Sequence, residues 1–413
     1  MMVRVPSKRG FVMGYIDIDS HVLECDDTWE YFDPAEREHR PFQLRMDTQK
    51  VGGAGTSFGA LWRLGDAWSG VFPPDAMLHD GAGNRYDPDT VTMRDPSRRI
   101  AELDTLGIDV QMLYTTTFLT AGMRHPVAEA AIKRSWNRWM AERVADSGGR
   151  FSWAAEIPVR MLDRAVQEAE FAAEHGAKAV HLHAVESGCY LDDPYFDHLF
   201  TRLQALDLTI VVHIAAPLAS SRAVFSIGTA FRSMAPYMDH LASPLSAFWT
   251  VLATDLHKRY PKLRFFFSEV GAMWTFSLLH HWERIKASQS ADFRVRRIDP
   301  AVLEEKNIFI GCFVDEDLAL LTSRLGENVL AFGTDYGHND LSSQLGGHTA
   351  IVERDDISAG IARKIVDDNG RRAFGLDSAF RPADSIEASA ELPHTRAVQS
   401  AAAGALGVVS IGV

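Results

Sequence analysis

Only three cysteines occur in 413 residues, Cys25, Cys189 and Cys312, and no CxxC spacing joins any two of them. So few, scattered and odd in number, they argue against a disulfide framework or a zinc finger and for a reducing compartment. No run approaches the ~20 apolar residues that a membrane-spanning helix needs. The apolar stretch AAAGALGVVSIGV (401–413) is too short for one. Basic residues but no apolar h-region precede Asp17, so no signal peptide is expected and the expected location is cytoplasmic. Positive charge is in the minority: 42 Lys and Arg against 55 Asp and Glu leave a net charge of −13. That balance repels phosphate backbones and anionic lipid, so neither nucleic acid nor membrane is an expected partner. A G-x-G-x-x-G after the first strand is also missing, which counts against a dinucleotide-binding doubly wound sheet.

What is present is an alternation. Eight apolar, β-branched stretches end near 21, 116, 158, 184, 217, 271, 314 and 335, and from 107 onward they are separated by amphipathic segments such as MLDRAVQEAEFAAEHG (161–176). Nearly continuous apolar strands between helices imply a parallel sheet covered on both faces. Eight such units predict a (β/α)8 TIM barrel over 1–376 with a long insertion, 25–98, after strand one and a C-terminal tail, 377–413. The insertion, rich in Gly, Asp and Pro, is expected to form a lid or an interface arm.

Barrel enzymes carry their chemistry at the C-terminal ends of the strands. Here those ends hold Asp19 and His21 (strand one), His181 and His183 (four), His213 (five), Glu269 (six) and Asp335 (eight). In the first of them, YIDIDSHVLE (15–24), simple period-2 alternation puts Asp17, Asp19 and His21 on one face. Asp17 would then orient a neighbour by a hydrogen bond. Each residue alone has an ordinary explanation. Asp19 suits a turn cap, Glu269 suits the helix start near Gly271, and a histidine at a strand end suits a hydrogen-bonded core. Their coincidence is the stronger signal. Buried carboxylates need pairing or a metal, and clustered Asp and His suit a divalent ion such as Zn²⁺ or Mn²⁺.

With these residues in place the chain resembles the amidohydrolase superfamily, in the amidohydrolase-related (amidohydrolase-2) branch around aminocarboxymuconate semialdehyde decarboxylase. The resemblance spans about 15–376 through DIDSHVLE, LDTLGIDVQMLY, GAKAVHLHAVESGCYLDDPYFDHLF, IVVHIAAP, VLAFGTDYGHND and DNGRRAFGL. It implies that Asp19, His21, His213 and Asp335 hold one divalent metal, zinc first with manganese or iron as alternatives. Asp335 would double as the proton-transfer residue, and the protein would be a homodimer. One departure stands out. FSEVGAMW (267–274) places Glu269 where the decarboxylases carry a catalytic histidine, and His338, three residues past Asp335, is a candidate to supply that imidazole.

The implied function is non-oxidative decarboxylation of a small aromatic or unsaturated carboxylic acid. The alternative is hydrolysis of a C–N, C–O or C–C bond by a metal-activated water, with Glu269 as a second acid/base. A third reading, a non-catalytic scaffold, leaves the retained ligand set unexplained. The expected catalytic residues are Asp335, Glu269 and His338, with His183 and Trp274 contacting substrate. Phe225, Phe231 and Tyr336 are candidate pocket lining, and Arg124, Arg222 and Arg232 are candidate partners for a substrate carboxylate.

Overall fold

The computed structural model describes residues 14–45, 60–69, 86–119, 123–214, 234–289, 299–338 and 342–376. Eight parallel strands form one sheet in chain order. They are β1 (Tyr15–Val22), β2 (Ile108–Thr115), β3 (Phe151–Glu156), β4 (Ala177–His181), β5 (Thr209–His213), β6 (Phe265–Ser268), β7 (Ile308–Gly311) and β8 (Leu330–Ala331). The sheet closes on itself. The backbone N–H of Ile18 donates to Phe332, that of Asp335 to Asp19 at 2.8 Å, and that of His21 to Tyr336 at 2.6 Å. This is the (β/α)8 barrel expected from the alternation.

Both faces of the strands are buried for different reasons. Ile16, Ile18, Val110, Met112, Ala154, Ala179, Val211, Phe266, Phe309 and Ala331 form a cluster of their own, which is the barrel interior. Ala373 and Phe374 join it from the last helix, Asn369–Phe374, and close the bottom. The alternate residues, such as Val180, Ile210, Val212, Phe265 and Phe267, belong to the larger core under the helices. Those helices include α1 (Pro96–Leu106), α2 (Pro126–Val144), α3 (Leu162–Glu174), α4 (Asp197–Ala205), α5 (Met234–Ala253), α6 (Thr275–Gln289) and α7 (Leu318–Leu325).

The described part of the insertion packs on the outside of the barrel. It contains a small antiparallel sheet, Phe42–Arg45, Ala60–Leu64 and Ala67–Ser69. A chain of rings ties it down: Trp62 to Trp29 at 5.6 Å, then Trp29 to Phe118, Phe118 to Trp136, and Trp136 to Trp153 on β3. Arg134 of α2 pairs with Asp33 and Glu36. The rest of the expected lid, 46–59 and 70–85, and the tail, 377–413, lie outside the described residues.

One expectation needs correction. Asp17 does not share the face of Asp19 and His21. Asp17 pairs with Gln111 but Ser20 with Leu113, so β1 carries one extra residue between them, a β-bulge. Before the bulge Ile16 and Ile18 face inward and Asp17 outward; after it, Asp19 and His21 face inward. Outside the barrel wall Asp17 accepts from Ser20 Oγ (2.7 Å), Gln111 Nε2 (2.9 Å) and the backbone N–H of Thr334 (2.7 Å). It pins β1 to the end of β8, so it does orient its neighbours, from the opposite side.

Candidate active site

The bulge brings Asp19 and His21 to the top of the barrel, where β5 delivers His213 and the turn after β6 delivers Glu269. The chain beyond β8 adds Asp335 and His338. Each of these six residues is at least nine-tenths buried. His21 Nε2 lies 3.2 Å from His213 Nε2, 3.4 Å from Asp19 Oδ1 and 3.5 Å from Asp335 Oδ1. His213 Nε2 is 3.4 Å from both Asp19 Oδ1 and Glu269 Oε2. Two sets of ligand atoms, each gathered within 4.8 Å, share His21 and Glu269: Asp19, His21, His213 and Glu269, and His21, Glu269, Asp335 and His338.

The tautomers can be assigned from the far side of each ring. His21 Nδ1 is 2.8 Å from the Thr115 carbonyl, and His213 Nδ1 is 2.9 Å from that of Ile214. A carbonyl only accepts, so each Nδ1 carries the hydrogen and each Nε2 presents a bare lone pair. Two lone pairs at 3.2 Å, ringed by carboxylate oxygens, cannot satisfy one another; a proton or a metal ion between them would. This donor set, two imidazoles and several carboxylates, fits a divalent metal ion.

Ser268, Ser342 and Gly333, to which the sequence assigned no role, support the cluster. Ser268 Oγ donates to Asp19 Oδ2 at 2.7 Å, and Ser342 Oγ to Glu269 Oε1 at 2.8 Å. Gly333 leaves the space that Asp19 occupies, since a Cβ there would stand 2.3 Å from the Asp19 Cβ. Glu269 (φ 55°) and Asp335 (φ 52°) hold left-handed backbone that non-glycine residues seldom adopt. Such strain gathers at functional sites. His338 Nδ1 is 2.8 Å from Asp335 Oδ1, and its ring stacks on His21 with centroids 3.7 Å apart. An imidazole thus enters the cluster from beyond β8.

Other candidates have partners of their own. His183 is held by Glu186 at 2.8 Å, and Trp274 donates to its own loop at Gly271 while packing on Phe248. Tyr336 is a buried strut between Thr90 and Glu102 with Arg99 over its ring, not a pocket wall. The Arg124 side chain is exposed. Phe225, Phe231, Arg222 and Arg232 lie outside the described residues.

Electrostatics follow the burial. Burial alone would raise the Asp19 carboxyl, but His213 and His21 hold it well below the usual carboxylate range. Burial, then the charge of His338, pushes His21 down to about 3. The Glu186 carboxyl, which burial would raise, is held down to about 2 by His183. Asp19 and Glu269 raise His213 against its own burial. Stability with pH follows from these signs. Unfolded His21 protonates near its ordinary 6.5 and folded His21 only near 3, so acidification through that window favours unfolding. The Glu186 contribution is complete above 4.5 and is lost as pH falls towards 2. The contribution of His213 is complete below 6.5 and disappears as pH rises through its folded value, so it does not offset the loss in acid. The metal-free protein should thus melt several degrees lower at pH 4 than at pH 6.5. A flat melting temperature over that range would contradict the assignment.

Comparison with known proteins agrees with this geometry. The family model described as amidohydrolase matches residues 16–376. No curated protein matches the chain. Among solved structures, an amidohydrolase from Mycobacterium avium subsp. paratuberculosis is 19% identical with a TM-score of 0.64, over 88% of this chain and 98% of that one. A 5-carboxyvanillate decarboxylase from Sphingomonas paucimobilis is 18% identical with a TM-score of 0.56, over 88% and 99%. A dihydroxybenzoic acid decarboxylase from a Polaromonas species, solved with bound manganese, is 18% identical with a TM-score of 0.55, over 88% and 97%. With the family match running from β1 to the last helix, the chain belongs to the amidohydrolase family, whose members are metal-dependent hydrolases and carboxy-lyases.

Proposed function

We propose that the protein is a metal-dependent decarboxylase of a small aromatic or unsaturated carboxylic acid. The observation that carries this reading is the Asp335–His338 pair, 2.8 Å apart, beside the convergent lone pairs and enclosed with them. Protodecarboxylation needs a proton held beside the carbon that loses CO2, and little water. Asp19, His21 and His213, with Glu269 or Asp335, would hold the ion, zinc by our reading. The Polaromonas enzyme, whose structure holds manganese, offers the alternative. A bound divalent ion supplies the positive charge that fixes a carboxylate and offsets negative charge developing during the reaction.

The chain's own groups do the rest. Asp335, protonated, delivers its proton to the substrate carbon as the C–C bond breaks and CO2 departs. The charge left on Asp335 is shared with His338, whose other nitrogen lies 3.2 Å from Thr116 Oγ1, the contact through which a proton returns. The relatives' names support the reaction class: the Sphingomonas and Polaromonas enzymes are both decarboxylases of hydroxylated aromatic acids.

A hydrolytic reading is favoured by one observation, Glu269 in place of an imidazole. Its Oε2 lies 3.4 Å from His213 Nε2, where a carboxylate can take a proton from water. The test is CO2 release by the metal-loaded protein from a panel of hydroxybenzoates, with Glu269→Gln alongside. Decarboxylation predicts stoichiometric CO2 and, per bound metal, a loss below about tenfold in Glu269→Gln. A hydrolytic role for Glu269 predicts no CO2 and a loss of about 10²-fold or more in ester or amide cleavage.

A further inference from the structure

Parity along the strands places a second polar group inside the barrel. Ala154, Ala179 and Met112 face inward, so Glu156, His181 and Tyr114, each two residues further on, face inward too; Tyr114 pairs with His21, and His181 with Val211, two residues before His213. Glu156 Oε1 is 2.7 Å from His181 Nδ1. Glu156 itself is clamped by α2. Its backbone N–H donates to Asn137 Oδ1 (3.0 Å), its carbonyl accepts from Asn137 Nδ2 (2.8 Å), and Lys133 Nζ lies 3.5 Å from its other oxygen.

Burial would raise the Glu156 carboxyl, but His181 and Lys133 hold it low and ionised. Burial keeps His181 below its ordinary value despite Glu156. The neutral ring therefore carries its hydrogen on Nδ1 and shows a lone pair at Nε2. Among the described residues that Nε2 has no partner, and neither does the buried hydroxyl of Tyr114, whose ring lies 5.8 Å from that of His213. Buried polar atoms are rarely left unpaired without a reason.

We propose that the Tyr114 hydroxyl and His181 Nε2, a donor and an acceptor facing the barrel interior beside the cation cluster, form a subsite for a hydroxyl group of the substrate, with Glu156 as the positioning residue. A hydroxyl can give its proton to Nε2 and accept from Tyr114. A carboxylate or ketone cannot do the first, and an ammonium cannot do the second. The substrate class narrows to hydroxylated carboxylic acids. That narrowing rests on the decarboxylase reading for the carboxylate, not for the hydroxyl.

Calorimetric titration of the metal-loaded full chain with benzoate, the three hydroxybenzoates, their methoxy counterparts and phenol tests the assignment. At least one hydroxybenzoate should bind about tenfold or more tighter than benzoate, and its methyl ether should lose that gain. In His181→Leu the gain should fall to within about twofold, with benzoate affinity and metal content unchanged. His181→Gln, which returns an acceptor near the Nε2 position, should recover part of it, and Tyr114→Phe should reduce it separately. The double variant His181→Leu with Glu156→Gln should still fold and keep its metal, because Lys133 retains Glu129, 3.2 Å from its Nζ.

A hydroxyl preference that survives in metal-loaded His181→Leu overturns the subsite. So does a preference lost only together with benzoate binding and several degrees of melting temperature, the mark of a merely structural histidine. Phenol binding that depends on His181, without any benzoate binding, supports the subsite and overturns the decarboxylase reading. Benzoate binding with no hydroxyl preference does the reverse.

Discussion

Replacing His213 with alanine should strip the protein of its metal and its turnover together. His213 supplies one of the two lone pairs that meet at 3.2 Å, and its ring is buried at the centre of the cluster. Loss of a group that merely orients a ligand costs about 10–100-fold in metal affinity, so losing the ligand itself should cost at least about 100-fold. The fold should survive, since β5 is held on both sides by ladders to β4 and β6. The measurement is metal content after dialysis, paired with thermal unfolding. A folded variant retaining a full equivalent and its activity would remove His213 from the site.

Asp335→Asn separates proton transfer from binding. Asparagine keeps an oxygen, has nearly the same shape, and tolerates the left-handed backbone that Asp335 adopts at φ 52°, so the loop should hold. What it lacks is a proton to deliver. If Asp335 is the acid, kcat should fall by about 10²–10⁴-fold while metal remains bound. His338 cannot fully compensate, because the partner 2.8 Å from its Nδ1 no longer exchanges a proton. More than a tenth of parental turnover in metal-loaded Asp335→Asn would exclude that role.

The parts of this site legible in the sequence share one property: each ends an apolar run. Asp19, His21, His213 and Glu269 follow stretches buried on both faces, and such stretches show where a barrel strand must stop. The bulge in β1 has no such mark. No Gly or Pro flags the extra residue between Asp17 and Ser20, so simple alternation assigned Asp17 to the wrong face. His338 was suggested by proximity to Asp335, but its stacking on His21 depends on the turn at Gly337 (φ 98°). Ser268 and Glu156 matter through partners that are distant in sequence, Asp19 and His181. Local pattern cannot reveal those pairings. The last helical stretch, 359–374, escaped for a related reason: a π turn at Lys364–Asp368 interrupts its 3.6-residue period.

The central claim is that side chains from the first and fifth strand ends share one cation, completed by Glu269 after the sixth strand or Asp335 after the eighth. Anomalous diffraction at the metal edge from metal-loaded crystals tests it most directly. The account predicts a single strong peak about 2.0–2.3 Å from His21 Nε2, His213 Nε2 and an Asp19 oxygen, completed by Glu269 or Asp335. No peak between those atoms in metal-saturated crystals, or one bound by other residues, would contradict it.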